Sequence, residues 1–274
     1  MQPRSKGTGS WSSLTPCWKP WISRFNHKMP RVSLLMINTI LVVAWIVIAT
    51  IIFGLAAVFT GFFSKTGNIP HLVAVLWART ILFVSRVKVK TQGVHRLDPE
   101  KSYIFMANHL SNFDIPALFV GLPVQFRWLA KAELFKIPIF GQGMKGCGYI
   151  SIDRSNRESA FGSLREAANK IQSGVSVMIF PEGTRSHDGK LLPFKKGGFV
   201  LAQNAGVPIV PVTIKGSGVV MSRNEMRIKA GEIHIEILPE IDTLAFADQN
   251  KDVLMEAVRC QLEAALKDSE GVTL

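Results

Sequence analysis

The sequence predicts an α/β fold, an open mixed β-sheet flanked by helices, preceded by an N-terminal hydrophobic membrane-anchoring helical hairpin. Three observations lead there. Val32–Phe63 runs for 32 residues without a charge. From Val87 onward, short β-rich runs alternate with helical ones. The whole chain is also unusually apolar, with 19% charged residues and a mean hydropathy of +0.22 over 274 residues, against about 25% charged in soluble proteins. This composition excludes a disordered, collagenous or disulfide-scaffold protein. Cys17, Cys147 and Cys260 are odd in number and far apart, so neither a disulfide framework nor a Cys-x-x-Cys metal site is indicated, and a reducing, cytosol-facing location follows.

Residues 1–30 form a basic tail, rich in Ser, Gly and Pro over its first 20 positions, that is expected to be disordered. The run that follows exceeds the 7–15 apolar residues of a signal peptide, so it reads as a retained anchor. At about 1.5 Å per residue its 32 residues make roughly 48 Å, too long for one upright helix and too short for two crossings. After the breakers Gly61, Gly67 and Pro70 comes Leu72–Val84, apolar except for Arg79. Arg79 and Arg86, seven apart, would share one face of an interfacial helix. The two segments make a hairpin over residues 31–86, which keeps both of its ends on one side of the membrane, and residues 87–274 make the α/β domain.

Strands are predicted at Val87–Lys90, Tyr103–Ala107, Phe126–Ala130, Tyr149–Ile152, Ser176–Phe180, Ile209–Ile214 and Glu232–Leu238. The last alternates Ile233, Ile235 and Ile237 with polar residues and so belongs near a sheet edge. Helices are predicted at Ile115–Val120, at Glu158–Gln172 with Phe161, Leu164, Ala168 and Ile171 on one face, at Gly197–Asn204 and at Lys251–Leu266.

Two clusters that can carry chemistry lie at strand ends, where ligands gather in open α/β sheets. The first runs from Asn108 and His109 to Asp114. A turn of this length can fold Asp114 back on His109, fixing the imidazole tautomer and leaving the other nitrogen to accept a proton from a hydroxyl. Alone the spacing is a common accident, and Asp114 could simply cap a helix. The second cluster is Phe180-Pro181-Glu182-Gly183-Thr184-Arg185-Ser186. There Gly183 lets backbone approach a ligand, Arg185 offers a planar fork for phosphate, and Glu182 can orient a hydroxyl or hold Arg185. Lys131 and Arg154 follow two further strands, so three cations converge on one edge as an anion pocket.

These residues resemble the glycerolipid acyltransferases of the 1-acyl-sn-glycerol-3-phosphate (lysophosphatidic acid) acyltransferase type. Four blocks match in order: Asn108-His109-x-x-x-x-Asp114, the Lys131/Glu133/Leu134 stretch leading to Gly148–Arg154, Phe180–Ser186, and Val207–Val212. They span about Gly93 to Val219, and the hydrophobic hairpin is similar to that family's anchor. The resemblance implies a glycerolipid acyltransferase-like sheet, His109 as general base and Asp114 as its orienting partner. It implies a phosphate site of Arg154, Glu182, Gly183, Thr184 and Arg185 with help from Lys131. The reaction implied is transfer of a fatty acyl group from acyl-CoA or acyl carrier protein to the sn-2 hydroxyl of lysophosphatidic acid, giving phosphatidic acid. Glycerol 3-phosphate, a lyso-ornithine lipid or another lysophospholipid stays open as acceptor, and a non-catalytic membrane lipid-binding protein is the rival of another class. No cofactor and no metal are expected, since the thioester is a co-substrate. The expected partners are the two substrates, membrane lipid and acyl carrier protein. The expected location is the bacterial inner (cytoplasmic) membrane, with the catalytic domain on its cytoplasmic face. Nucleic acid is not expected as a partner: of the +12 net charge, six charges lie in residues 1–31, and no aromatic-interleaved basic stretch follows.

Overall fold

Two long apolar helices open the structure and pack on each other through tryptophan and threonine. Helix α1 (Arg31–Phe63) and helix α2 (Asn68–Val84) are tied by Trp45 Nε1–H to Thr80 Oγ1 at 3.3 Å and by Trp77 Nε1–H to Thr50 Oγ1 at 3.1 Å. The computed structural model describes residues 31–153, 157–246 and 249–268. The predicted basic tail and Arg154 therefore lie outside the described residues, as does the side chain of Phe161. Residues 35–274 form one unit that includes both helices and the sheet; of the preceding unit, only the start of α1 is described. α2 stops at Val84, and Arg86 follows with a φ of 55°. Arg79 and Arg86 thus do not share a helix face, as the sequence reading had them.

The sheet has seven strands, β1 (Val87–Gln92), β2 (Ile104–Ala107), β3 (Phe126–Lys131), β4 (Ile150–Ile152), β5 (Ser176–Ile179), β6 (Ile209–Lys215) and β7 (Gly231–Ile237), in the order β1-β7-β6-β2-β5-β3-β4. All pairs are parallel except β6 with β7. The sheet is therefore mixed, with β1 and β7 running against the other five. β7 is second from the edge, covered by β1, which explains its alternation: Ile233, Ile235 and Ile237 are buried while Glu232 is exposed.

Residues of the central strand β2 alternate between two apolar layers, as a strand buried on both faces must. Tyr103, just before the strand, Phe105 and Ala107 join the layer of helix α3 (Asp114–Gly121) and the hairpin. Ile104 and Met106 join that of helices α5 (Arg157–Gln172), α6 (Gly197–Ala205) and α8 (Lys251–Asp268). Two short helices were not predicted, α4 (Phe140–Gly146) and α7 (Ser217–Val220). α4 contains Gly141, Gly143 and Gly146, which lower helix propensity and blur the apolar period. Its glycines answer to a neighbour instead: a Cβ on Gly146 would stand 3.1 Å from the Ala57 carbonyl oxygen of α1, and one on Gly143 3.4 Å from that of Gly54.

The hairpin is joined to the sheet through a polar knot in which Arg127, His71 and Tyr149 are buried. Arg127, on β3, donates to the Thr66 carbonyl at 3.0 Å and to Asn68 Oδ1 at 2.5 Å. His71, on α2, lies among Phe119, Phe126 and Tyr149, with its Nδ1 3.2 Å from the Tyr149 hydroxyl. Burial, helped by the Arg127 guanidinium, pushes the His71 imidazole down to about 3. An unfolded histidine takes its proton near pH 6.5, so between that pH and about 3 the unfolded chain holds the proton that the folded chain refuses. Stability from this group is complete above about pH 6.5 and declines as pH falls. Denaturant unfolding in micelles should show wild type losing about 2 kcal/mol from this source between pH 7 and pH 5, a pH dependence that His71→Leu abolishes.

Candidate active site

Because β2, β3 and β5 are adjacent and parallel, the residues that leave their C-terminal ends meet at one edge of the sheet. Asn108 comes first after β2 and continues the ladder with its side chain. Its Nδ2 donates to the Ile214 carbonyl at 2.9 Å, and its Oδ1 accepts the Ile214 N–H at 2.7 Å. This anchors the start of the next turn to β6. His109 follows, with its Nδ1 2.8 Å from Asp114 Oδ2. The same oxygen accepts the N–H groups of Leu110 at 2.7 Å and Ser111 at 2.8 Å.

Asp114 is fully buried and opens α3, whose N-cap is Phe113, so its carboxylate organises the preceding turn instead of capping the helix. Ser111 closes the turn from the other side, with its Oγ donating to the Met221 carbonyl at 2.7 Å. A carboxylate accepts only, so Nδ1 carries the proton toward Asp114, and Nε2 keeps its lone pair.

The second cluster stands beside the first. Phe180 is the first residue past β5, and its ring is stacked on the His109 imidazole with centroids 3.9 Å apart. Glu182 is buried, and its two oxygens are both used: Oε1 accepts the His109 N–H at 2.9 Å, and Oε2 accepts the Leu192 N–H at 2.9 Å. Burial pushes its carboxyl above the ordinary glutamate value, and the N–H donors of Leu192 and His109 pull against that. Glu182 is thus a brace between loops, with its hydrogen bonds going to backbone and not to Arg185.

Gly183 has a φ of 73°, a left-handed conformation that L side chains rarely adopt, and it lines a cavity shared with His109. Thr184 is exposed and Arg185 half-buried, with the Arg185 carbonyl accepting from Arg223. Lys131, at the end of β3, lines the same cavity, pairs with Glu133 at 3.1 Å and is largely exposed. The structure therefore brings His109, Asp114, Lys131, Glu182 and Gly183 to one edge, with Thr184 and Arg185 following on the same loop.

The cavity has a volume of about 310 Å³ and a mostly apolar lining, including Phe53 and Ala57 of α1, Trp77 of α2, Phe119 of α3 and Met144 of α4. It runs between hairpin and sheet, with the imidazole in its wall. Among the described residues no group of three or more His, Cys, Asp or Glu could hold a metal ion. Cys147 lines the cavity too, and burial pushes its thiol up to about 11, away from nucleophilic use. Sequence reasoning gave no role to Asn108, Ser111, Phe180 or Arg223. Asn108 and Phe180 open the two motifs and carry a positional signal, whereas Arg223 reaches the site from 38 residues away with none.

Residues 88–215 match the family model described as Acyltransferase. A 1-acyl-sn-glycerol-3-phosphate acyltransferase of Chlamydomonas reinhardtii is 34% identical over 249 residues, 88% of this chain and 74% of that protein. The human 1-acyl-sn-glycerol-3-phosphate acyltransferase alpha is 32% identical over 65% of this chain and 64% of its own length. The chloroplastic enzyme BAT2 of Brassica napus is 35% identical over 61% of this chain and 48% of its own length. In fold, the chain is similar to the crystal structure of the 1-acyl-sn-glycerophosphate acyltransferase PlsC from Thermotoga maritima. The TM-score is 0.73 at 24% identity, covering 88% of this chain and 99% of that one. The chain belongs to the 1-acyl-sn-glycerol-3-phosphate acyltransferases, which are O-acyltransferases.

The double use of Glu182 sets up a test of brace against ligand. Glu182→Gln keeps the shape but offers one acceptor oxygen to two N–H donors, so one of the His109 and Leu192 amides faces an NH₂ group. An unmade buried hydrogen bond of about 1–3 kcal/mol at this position should lower kcat by about tenfold or more while the acceptor KM holds. A raised acceptor KM with kcat intact would instead mark Glu182 as a substrate ligand.

Proposed function

We propose that this chain transfers a fatty acyl group from a cytosolic thioester, acyl-CoA or acyl carrier protein, to the sn-2 hydroxyl of 1-acyl-sn-glycerol 3-phosphate, giving phosphatidic acid. The observation that carries the reading is the His109–Asp114 hydrogen bond of 2.8 Å at an apolar cavity whose wall also includes Lys131 and Gly183. His109 Nε2 takes the hydroxyl proton as the oxygen attacks the thioester carbonyl. Asp114 holds the ring and stabilises the imidazolium. When the carbon–sulfur bond breaks, the same proton passes to the leaving thiolate, and no acyl-enzyme forms. The acceptor phosphate lies against Lys131 and Arg185 beside the Gly183–Thr184 backbone. An acyl chain fits the apolar cavity between hairpin and sheet.

The seat of α1 supports a membrane-bound reaction at one surface. The helix is long and apolar enough to cross a bilayer. Yet it touches the α/β domain at several points along its length. Thr39 Oγ1 accepts the Ile228 N–H at 3.1 Å, Gly54 lies against Ile139, and Gly61 against Gly146. From residue 39 to residue 61 is about 33 Å of helix, as long as a bilayer's hydrocarbon core is thick. An upright helix would draw the Ile228 and Gly146 segments to opposite faces of the membrane, so the helix lies along one leaflet instead. Its outward residues, among them Ile40, Leu41, Ile52, Leu55 and Phe59, face the lipid. A lysolipid then reaches His109 without leaving the bilayer, and a cytosolic donor places the domain on the cytoplasmic face of the membrane.

The test is transfer from a labelled acyl thioester to lysophosphatidic acid, glycerol 3-phosphate and zwitterionic lysolipids offered separately to the purified, detergent-solubilised enzyme. Phosphatidic acid should form from lysophosphatidic acid, and His109→Ala should lower turnover by roughly a thousandfold or more with membrane binding intact. Wild-type-like turnover in that variant would remove the mechanism, and a product only from another acceptor would change the substrate.

A further inference from the structure

Phe180 touches the reacting imidazole more closely than its position outside both catalytic roles would suggest. Its ring lies 3.9 Å from that of His109, with only 9° between the planes. The sheet builds this stack. β2 and β5 are neighbours with Met106 opposite Ile179, so the two chains leave the sheet at the same level, Phe180 one residue past Ile179 and His109 three past Met106. Phe180 is also stacked with Trp128 of β3, centroids 5.5 Å apart and planes 29° apart, and Trp128 is itself in edge contact with Phe119 and Phe126. Phe180 is therefore in stacking contact with both the imidazole and the Trp128 indole. His109 is held in its plane by Asp114 and on its face by Phe180.

The two contacts differ in what they do during turnover. An aromatic face carries partial negative charge and attracts a cation. A neutral imidazole gains little from it, whereas an imidazolium gains more. In the reaction proposed above, His109 is charged only after the hydroxyl O–H bond breaks and before the proton reaches the leaving thiolate. An interaction that strengthens only in that interval lowers the barrier without tightening substrate binding. We infer that Phe180 is a positioning residue for the acyl transfer, fixing the plane of His109 and stabilising its transient positive charge through its π face. The inference rests on His109 being the base.

The charged groups around His109 leave a place for such a contact. Asp114 from α3 meets Nδ1, the Glu182 carboxylate meets the backbone N–H, and Lys131 of β3 shares the cavity. The first two are anionic and the third is cationic. Phe180 adds to the negative side without a further carboxylate in an apolar cavity, where a second buried charge would be costly.

Phe180 also lines the cavity, so a role in shaping the acyl-chain site must be told apart from a role at the base. Phe180→Leu and Phe180→Met remove the π face and keep most of the volume, and Phe180→Tyr keeps the face. Steady-state kcat and KM would be measured for both substrates, with donors of short and long acyl chain, alongside the unfolding midpoint of each variant.

The expected result is a kcat lower by roughly 3- to 30-fold in the Leu and Met variants, by the same factor for both donors. Both KM values should stay within about twofold of wild type, and the Tyr variant should return close to wild-type kcat. Met stands in should the Leu variant fail to fold. Unchanged kcat in the aliphatic variants, a loss that varies with chain length or falls in KM, or a Tyr variant as slow as Leu would each overturn the inference. His109→Ala run in parallel separates the layers. Turnover in that variant removes the base itself, whereas an inactive His109→Ala beside a fully active Phe180→Leu removes only the role of Phe180.

Discussion

One carboxylate oxygen, Asp114 Oδ2, accepts three hydrogen bonds, from the His109 imidazole and from the backbone N–H groups of Leu110 and Ser111. Those three donors are consecutive residues of the turn between β2 and α3, so a single buried acceptor sets both the backbone path there and the tautomer of the His109 imidazole. Removing it would strand two backbone donors and one ring nitrogen together, which is why the turn cannot be treated as scaffold separate from chemistry. The neighbouring Asn108 and Ser111 extend the same logic outward, to Ile214 in β6 and to Met221 beyond α7.

The rest of the site is arranged around that turn by the sheet. Parallel pairing of β2 with β5 and of β5 with β3 brings the ends of all three strands to one edge, and Glu182 ties the loop after β5 to the backbone of His109. The hairpin supplies the opposite wall of the cavity. It is fixed by the knot of Arg127, Asn68, Thr66, His71 and Tyr149, a set of buried and part-buried polar contacts between elements about 60 to 80 residues apart. Hairpin and α/β domain therefore share one interior, and the apolar cavity is formed jointly by both.

The sequence reading and the structure part company where glycine and long-range pairing decide the outcome. All seven predicted strands exist, with ends differing by a residue or two, because each is a short apolar run bounded by turn residues. α4 escaped notice because its glycines serve close packing, Gly143 and Gly146 with α1, a partner about 85 residues away, and Gly141 with the backbone of Phe135. Arg86 was placed on a helix that ends two residues before it. Glu182 was read as a group free to face a hydroxyl or Arg185, yet both of its oxygens are taken by backbone donors from two other segments.

By itself, the sequence determined the class of fold, the long apolar N-terminal helix, the His109–Asp114 pair and the loop that faces it, because those depend on local pattern and on residue types whose chemistry is the same wherever they sit. Strand order, the lengthwise seat of α1 against the domain, the bracing role of Glu182 and the stack of Phe180 on His109 were decided only by tertiary structure. Each is a contact between residues far apart in the chain, and which backbone donor meets a given carboxylate, or which ring meets a given imidazole, follows from sheet register and not from spacing along the sequence.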